Sequence, residues 1–234
     1  MVLSLLLSAG IAIAKYFSGN FSIESSKYKA YLISFVAGIS VTYIFLHLLP
    51  NLQNGDSDLI KSLFIFVLIG FVVFHLTEKF IYRYVGKGKV SEDLKLNHSL
   101  GLFLYEFSIG IVLVQFTRVN VIEGFLFFVP VFLHTALSNL SLHKIHGLNP
   151  EKEQILENKT IRMILSGGAV YGALIAFFYN LNLRFSYILT GLVAGILLYV
   201  VIREMIPKEK EGNPIGFVLG VVFYSLLIFA TWIF

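Results

Sequence analysis

The chain contains no cysteine, which excludes a disulfide and any thiolate metal site. Charge is also scarce: 14% of residues are Asp, Glu, Lys or Arg, where a soluble globular domain has about 25%. There is no low-complexity tract, no short-period repeat and no basic patch with interleaved aromatics, so the net charge of +4 reads as loop bias and not as a nucleic-acid signal. No soluble domain stands out either, because the longest loops, 82–97 and 144–159, are short. A secretory signal would need a positive segment ahead of its apolar run. Here the first positive residue, Lys15, follows that run, so 2–17 reads as a short, retained first span, tilted against thinned lipid.

Apolar residues fill the space these absences leave. The sequence is 57% hydrophobic with a mean hydropathy of +0.81. It therefore reads as an all-α integral membrane protein with one transmembrane domain over the whole chain, where helices pack against helices in lipid. Apolar runs separated by polar loops give eight transmembrane helices, at 2–17, 30–49, 59–82, 99–117, 124–143, 160–179, 185–206 and 215–234. Each reaches or approaches the roughly 20 residues that cross about 30 Å of hydrocarbon.

Orientation follows from where Lys and Arg fall. The loops 15–29, 79–97, 144–162 and 203–214 carry 15 of the 18 basic residues, and the opposite side carries only Lys61, Arg118 and Arg184. The first set is expected in the cytoplasm, which puts both termini outside a cell or inner membrane. The unbroken alternation supports the count of eight.

A few polar residues lie within the spans. Glu106 sits near the middle of the run 100–116, where an ionisable group costs roughly 2.5–3.5 kcal/mol on insertion scales and usually marks an ion, proton or substrate pathway. No Lys or Arg is expected at similar depth to pair with it. His134 is central in the fifth span, among Pro130, Thr135, Ser138, Asn139 and Ser141. That composition suggests a distorted helix facing a cavity, although a polar stripe can equally hold helices together. His134 and Ser138, four apart, share a helix face. His47 closes the second span, where solvation at the outer interface is favoured over metal ligation. His75 and Glu78, three apart at the inner end of the third span, read as an interfacial pair more readily than as a proton relay. His143 and His146 read as solvated, and Glu204, beside Arg203, reads as either interfacial or facing the bundle. Two carboxylates and one His on three helices suit a divalent first-row ion such as Zn, Mn or Fe.

The stretches GLVAGILLYVVIREMIP (191–207), AGISVTYIFLHLLPNL (37–52) and FHLTEKF (74–80) resemble the seventh, second and third helices of the ZIP (Zrt/Irt-like) divalent-metal transporters. The resemblance covers nearly the whole chain and implies a ZIP-like bundle of eight helices with both termini outside. That family's fourth helix carries H-N-x-x-[DE]-G. Here Tyr105 stands at the His, Glu106 at the Asn and Ile109 at the acidic position. Its fifth helix carries H-x-x-P-E-G; His134 is kept, with Ser138 at the Glu and Asn139 at the Gly. Glu204 matches the acidic ligand of the seventh helix. By this resemblance Glu106, His134 and Glu204 hold one ion, completed by Ser138, Asn139 or water, and three ligands plus water is a count zinc accepts.

The implied function is alternating-access transport of a divalent metal, zinc, toward the cytoplasm. The ion would leave past Glu204, His143 and His146. Zinc is then the transported substrate, and no cofactor is expected. The competing expectation is a ZIP-fold membrane protein that has lost metal transport and carries another solute or serves as a membrane partner. An enzyme is not expected, since no intramembrane H-E-x-x-H is present. Expected partners are the ion, the lipid bilayer and a second copy in a homodimer, with no nucleic acid.

Overall fold

The computed structural model describes residues 2–18, 26–52, 57–85, 92–145, 159–179, 181–205 and 212–233, and almost all of them are helical. Helix α1 spans Val2–Ser18. Helix α2 runs over Ser26–Tyr43, passes through a π-helical turn at Ile44–Leu48 and ends at Leu49–Asn51. Helices α3 (Ser57–Val85), α4 (Glu92–Val119) and α5 (Val121–Ile145) follow. Helix α6 comes in two pieces, Lys159–Ser166 and Gly168–Phe178. Helix α7 covers Leu183–Val200 and closes in a second π-helical turn at Val201–Met205. Helix α8 covers Pro214–Ile233.

These helices overlie the apolar runs and exceed some of them. Helix α4 begins at Glu92, ahead of the expected 99, because the polar residues before the run continue the same helix. The expected continuous span at 160–179 is instead broken at Gly167. Its N–H is shared between the carbonyls of Met163 and Ile164, both at 3.1 Å. Two adjacent glycines weaken a helix by about 1 kcal/mol each relative to alanine, which makes this the natural place for the break.

Among the described residues, four helical stretches are long and apolar enough to cross a membrane: Tyr28–Asn51, Gly101–Val119, Arg184–Arg203 and Pro214–Ile233. Val2–Ser18, Leu63–Thr77, Val121–Leu137 and Gly168–Phe178 are shorter apolar helices. The outside of the bundle is apolar as well. Leu68, Val73 and Leu76 on α3 and Val218, Val222 and Leu226 on α8 are exposed. A surface of this kind suits lipid and not water. The chain is a membrane protein.

Glycine decides which helices pair. Helix α2 packs on α8, α3 on α7, α4 on α6 and α1 on α5. In three of these pairs each helix presents a glycine to its partner's backbone. A Cβ on Gly38 would lie 2.3 Å from the Phe217 carbonyl oxygen, and one on Gly220 would lie 2.1 Å from that of Phe35. Gly70 and Gly195 do the same between α3 and α7, and Gly110 and Gly172 between α4 and α6. Without a hydrophobic drive between helices in lipid, such close approach is what holds them together. The contacts advance in the same direction along both partners. Gly216 meets Tyr31 and Gly220 meets Phe35, while Gly191 meets Leu63 and Gly195 meets Val67. Each of these pairs is therefore parallel.

Pro130 lies inside α5. It has no N–H to offer the carbonyl of Leu126, four residues earlier. The hydroxyl of Tyr224 on α8 donates to that carbonyl instead, at 2.6 Å, so the proline is accommodated by a hydrogen bond between helices.

Candidate functional site

Two buried polar clusters lie at different levels of α5. The first is built on Glu106. Helix α4 packs against α6 on one side and α1 on another, and Gly168 of α6 leaves room there, since a Cβ on it would lie 3.0 Å from the Glu106 Cβ. Glu106 is only 3% exposed. Its Oε1 lies 3.2 Å from the ammonium nitrogen of Lys15 on α1, whose side chain is 29% exposed. The lysine side chain is thus partly exposed while its charged end meets a buried carboxylate. The other carboxylate oxygen, Oε2, is buried without a hydrogen-bond partner among the described residues.

The expectation that no cation pairs with Glu106 is therefore overturned. Lys15 belongs to α1 and not to the loop after it. It lies three residues before that helix ends, while Glu106 lies five residues into the apolar stretch Gly101–Val119. At 1.5 Å per residue each is within about 8 Å of its helix's end of the apolar layer.

His134 on α5 is 5% exposed and feels the charge of the same lysine. Glu106 and His134, assigned to one site from sequence, are thus linked through Lys15, which pairs with Glu106 and acts on His134 by its charge alone. The side chains of Ser138, Asn139 and Glu204 lie outside the described residues, as do those of Glu78 and His143 and the whole of His146. Among the described residues no group of three His, Asp or Glu is placed to hold a metal. Tyr105 is buried against Phe74, with ring centroids 5.9 Å apart, and Ile109 is in the core. His75 packs on Tyr199, with centroids 5.5 Å apart.

The second cluster was not anticipated. His47, expected to be solvated, is 5% exposed. It sits in the π-helical turn of α2, and its Nε2 lies 2.7 Å from Oε2 of Glu123, in the first turn of α5. Asn51, one turn beyond His47, donates its amide to the same oxygen at 3.1 Å. The i, i+4 spacing of His47 and Asn51 is legible in the sequence; that Glu123 meets them is not. One turn inward, Tyr43 stacks near the His47 ring at 5.4 Å, and its buried hydroxyl has no hydrogen-bond partner among the described residues. Arg118, one of the three basic residues assigned to the outer side, donates to the carbonyl of Ala176 at 2.6 Å and so caps the end of α6.

The first cluster offers a carboxylate oxygen paired with an ammonium, and an imidazole within reach of that charge, which is chemistry for holding a cation or passing a proton. The second offers nitrogen and oxygen donors gathered at one point. Compared with known proteins, the chain matches no family model and no curated protein.

Proposed function

We propose that this chain is a ZIP-like carrier with eight transmembrane helices that moves a divalent metal cation, zinc, toward the cytoplasm. The observation that carries the reading is Oε2 of Glu106, a buried carboxylate oxygen with no hydrogen-bond partner among the described residues. Such an atom is costly unless something positive visits it. The two π-helical turns also support the reading. They fall in the stretches that resemble ZIP helices two and seven, and π-turns occur often at functional sites. The parallel pairing of α2 with α8, α3 with α7 and α4 with α6 fits eight crossings, since partners separated by an even number of spans run the same way.

In this mechanism Lys15 is a tethered counter-cation. When the carrier is empty, its ammonium neutralises Glu106. An arriving ion displaces it toward water, which its 29% exposure permits, and binds Glu106 and His134. Glu204, Ser138 and Asn139 are proposed to complete the ion's coordination and to carry it on, with His143 and His146 toward the cytoplasmic side. After release Lys15 returns, so the empty carrier never leaves a bare carboxylate in the membrane. Both termini lie outside in this topology.

Uptake of radiolabelled zinc by cells expressing the chain tests the reading. Glu106→Gln and His134→Ala are each expected to abolish uptake above background; unchanged uptake in both removes these residues from the mechanism. The Lys15–Glu106 ion pair itself favours a second reading, a ZIP-like fold that no longer carries metal because a lysine permanently takes the metal's place. Lys15→Met separates the two. It restores zinc binding if the lysine has replaced the metal, and it slows the return of the empty carrier if the lysine is a counter-cation.

A further inference from the structure

We propose that His47, Asn51 and Glu123 form a second binding site for a first-row divalent cation, at the opposite end of the bundle from Lys15 and Glu106. The inference rests on the carrier reading for its direction of use, but the binding itself does not.

The geometry is the main argument. Nε2 of His47 and Oε2 of Glu123 are 2.7 Å apart, and the Asn51 amide nitrogen is 3.1 Å from that oxygen and 3.2 Å from that ring nitrogen. Three polar atoms thus make a nearly equilateral triangle. In a tetrahedral zinc site with bonds of about 2.0–2.1 Å, neighbouring donors are about 3.3 Å apart. The triangle therefore needs to open by no more than about 0.6 Å to accept an ion seated about 0.7 Å above its plane. Turning over the Asn51 amide puts its oxygen where its nitrogen now lies, which converts the donor into a ligand without moving the backbone. Imidazole, carboxylate and amide oxygen are a mixed set that suits zinc and its neighbours better than calcium or magnesium.

The site is also accessible and continuous with the interior. The Glu123 side chain is 26% exposed while that of His47 is 6% exposed, so the carboxylate opens to solvent and the imidazole closes the site from within. Tyr43 extends the same face of α2 inward, with a buried hydroxyl that has no hydrogen-bond partner among the described residues. Along α5, Glu123 and His134 are eleven residues apart, or about 16 Å. That spacing separates two sites and does not permit one shared site.

The test is cobalt(II) and zinc(II) binding to the purified full chain in detergent, read by cobalt d–d absorption and by zinc competition. The variants are His47→Asn, Glu123→Gln, Asn51→Asp and the double change Glu106→Gln with His134→Ala. His47→Asn and Glu123→Gln are expected to weaken one site at least about 10-fold, as loss of a ligand or its support does. Asn51→Asp adds a charged ligand and is expected to tighten it, an outcome that general misfolding cannot mimic. The double change should leave this site intact. Unchanged affinity and stoichiometry in His47→Asn and Glu123→Gln, loss of all binding in the double change, or no binding to the unaltered chain would overturn the proposal. Failure of zinc uptake with this binding preserved would instead count against the carrier function alone.

Discussion

Lys15→Met tests how the buried pair is held. At 3.2 Å, a unit-charge pair in an environment of effective dielectric about 20 attracts by about 5 kcal/mol. That figure is gross, since both groups lost hydration to meet. The two partners lost it unequally. Glu106 is 5% exposed at its side chain and Lys15 is 29% exposed. Released from Glu106, Lys15 can extend its ammonium to water along its flexible stem. Glu106 has no such escape, and one of its oxygens already lacks a hydrogen-bond partner among the described residues. The two single changes must therefore differ. Lys15→Met strands the carboxylate and is expected to cost about 3–5 kcal/mol, the range for breaking a buried pair. Glu106→Gln leaves a lysine that can solvate itself and is expected to cost less, about 1 kcal/mol. The double change should resemble Glu106→Gln alone.

For a chain of this size each kcal/mol moves the midpoint by about 2–4 °C, so Lys15→Met is expected to lower Tm by roughly 6–20 °C. Thermal unfolding in detergent, followed by the fraction remaining monodisperse, measures all four proteins. Additive single effects, or a larger loss from Glu106→Gln than from Lys15→Met, would refute the assignment of the pair as buried and asymmetric. High salt should change the difference little, because buried pairs are poorly screened.

The helix pairing makes a separate prediction. Gly172→Ala puts a Cβ 1.9 Å from the Phe107 carbonyl oxygen, and overpacking of that kind costs about 1–3 kcal/mol or more. Its yield of monodisperse protein should fall sharply, while Gly101→Ala, which meets nothing within 4 Å, should be silent. The proposed topology can be mapped because the chain has no cysteine. In intact cells a membrane-impermeant maleimide should label Asn54→Cys, and should label Gly88→Cys only after permeabilisation; the reverse pattern would invert the orientation.

The helices were legible because each is a long apolar run, and hydrocarbon forces such a run to satisfy its own backbone. Their partners were not. Gly38 and Gly220 are 182 residues apart in sequence, and nothing local shows that one seats against the other. The same holds for the candidate site. Glu106 and His134 could be singled out because a polar group inside an apolar run is expensive wherever it goes. Lys15 looked like the first residue of a loop, and only the packing of α1 on α4 and α5 reveals it as the partner of Glu106. His47 looked solvated because it ends an apolar run beside Pro50. The π-helical turn and the approach of α5 bury it against Glu123.

The sequence alone determined that the protein resides in a membrane, since mean hydropathy and scarce charge depend on composition and not on contacts. It also determined which residues would be costly to bury. What those residues face was decided by tertiary structure. An ion pair between α1 and α4, a hydroxyl from α8 serving the carbonyl that Pro130 leaves free, and the convergence of His47, Asn51 and Glu123 all depend on distances between helices. Sequence spacing sets neighbours along a helix, about 5–6 Å apart at i, i+4. Neighbours across helices are set by which small residues allow two backbones to approach.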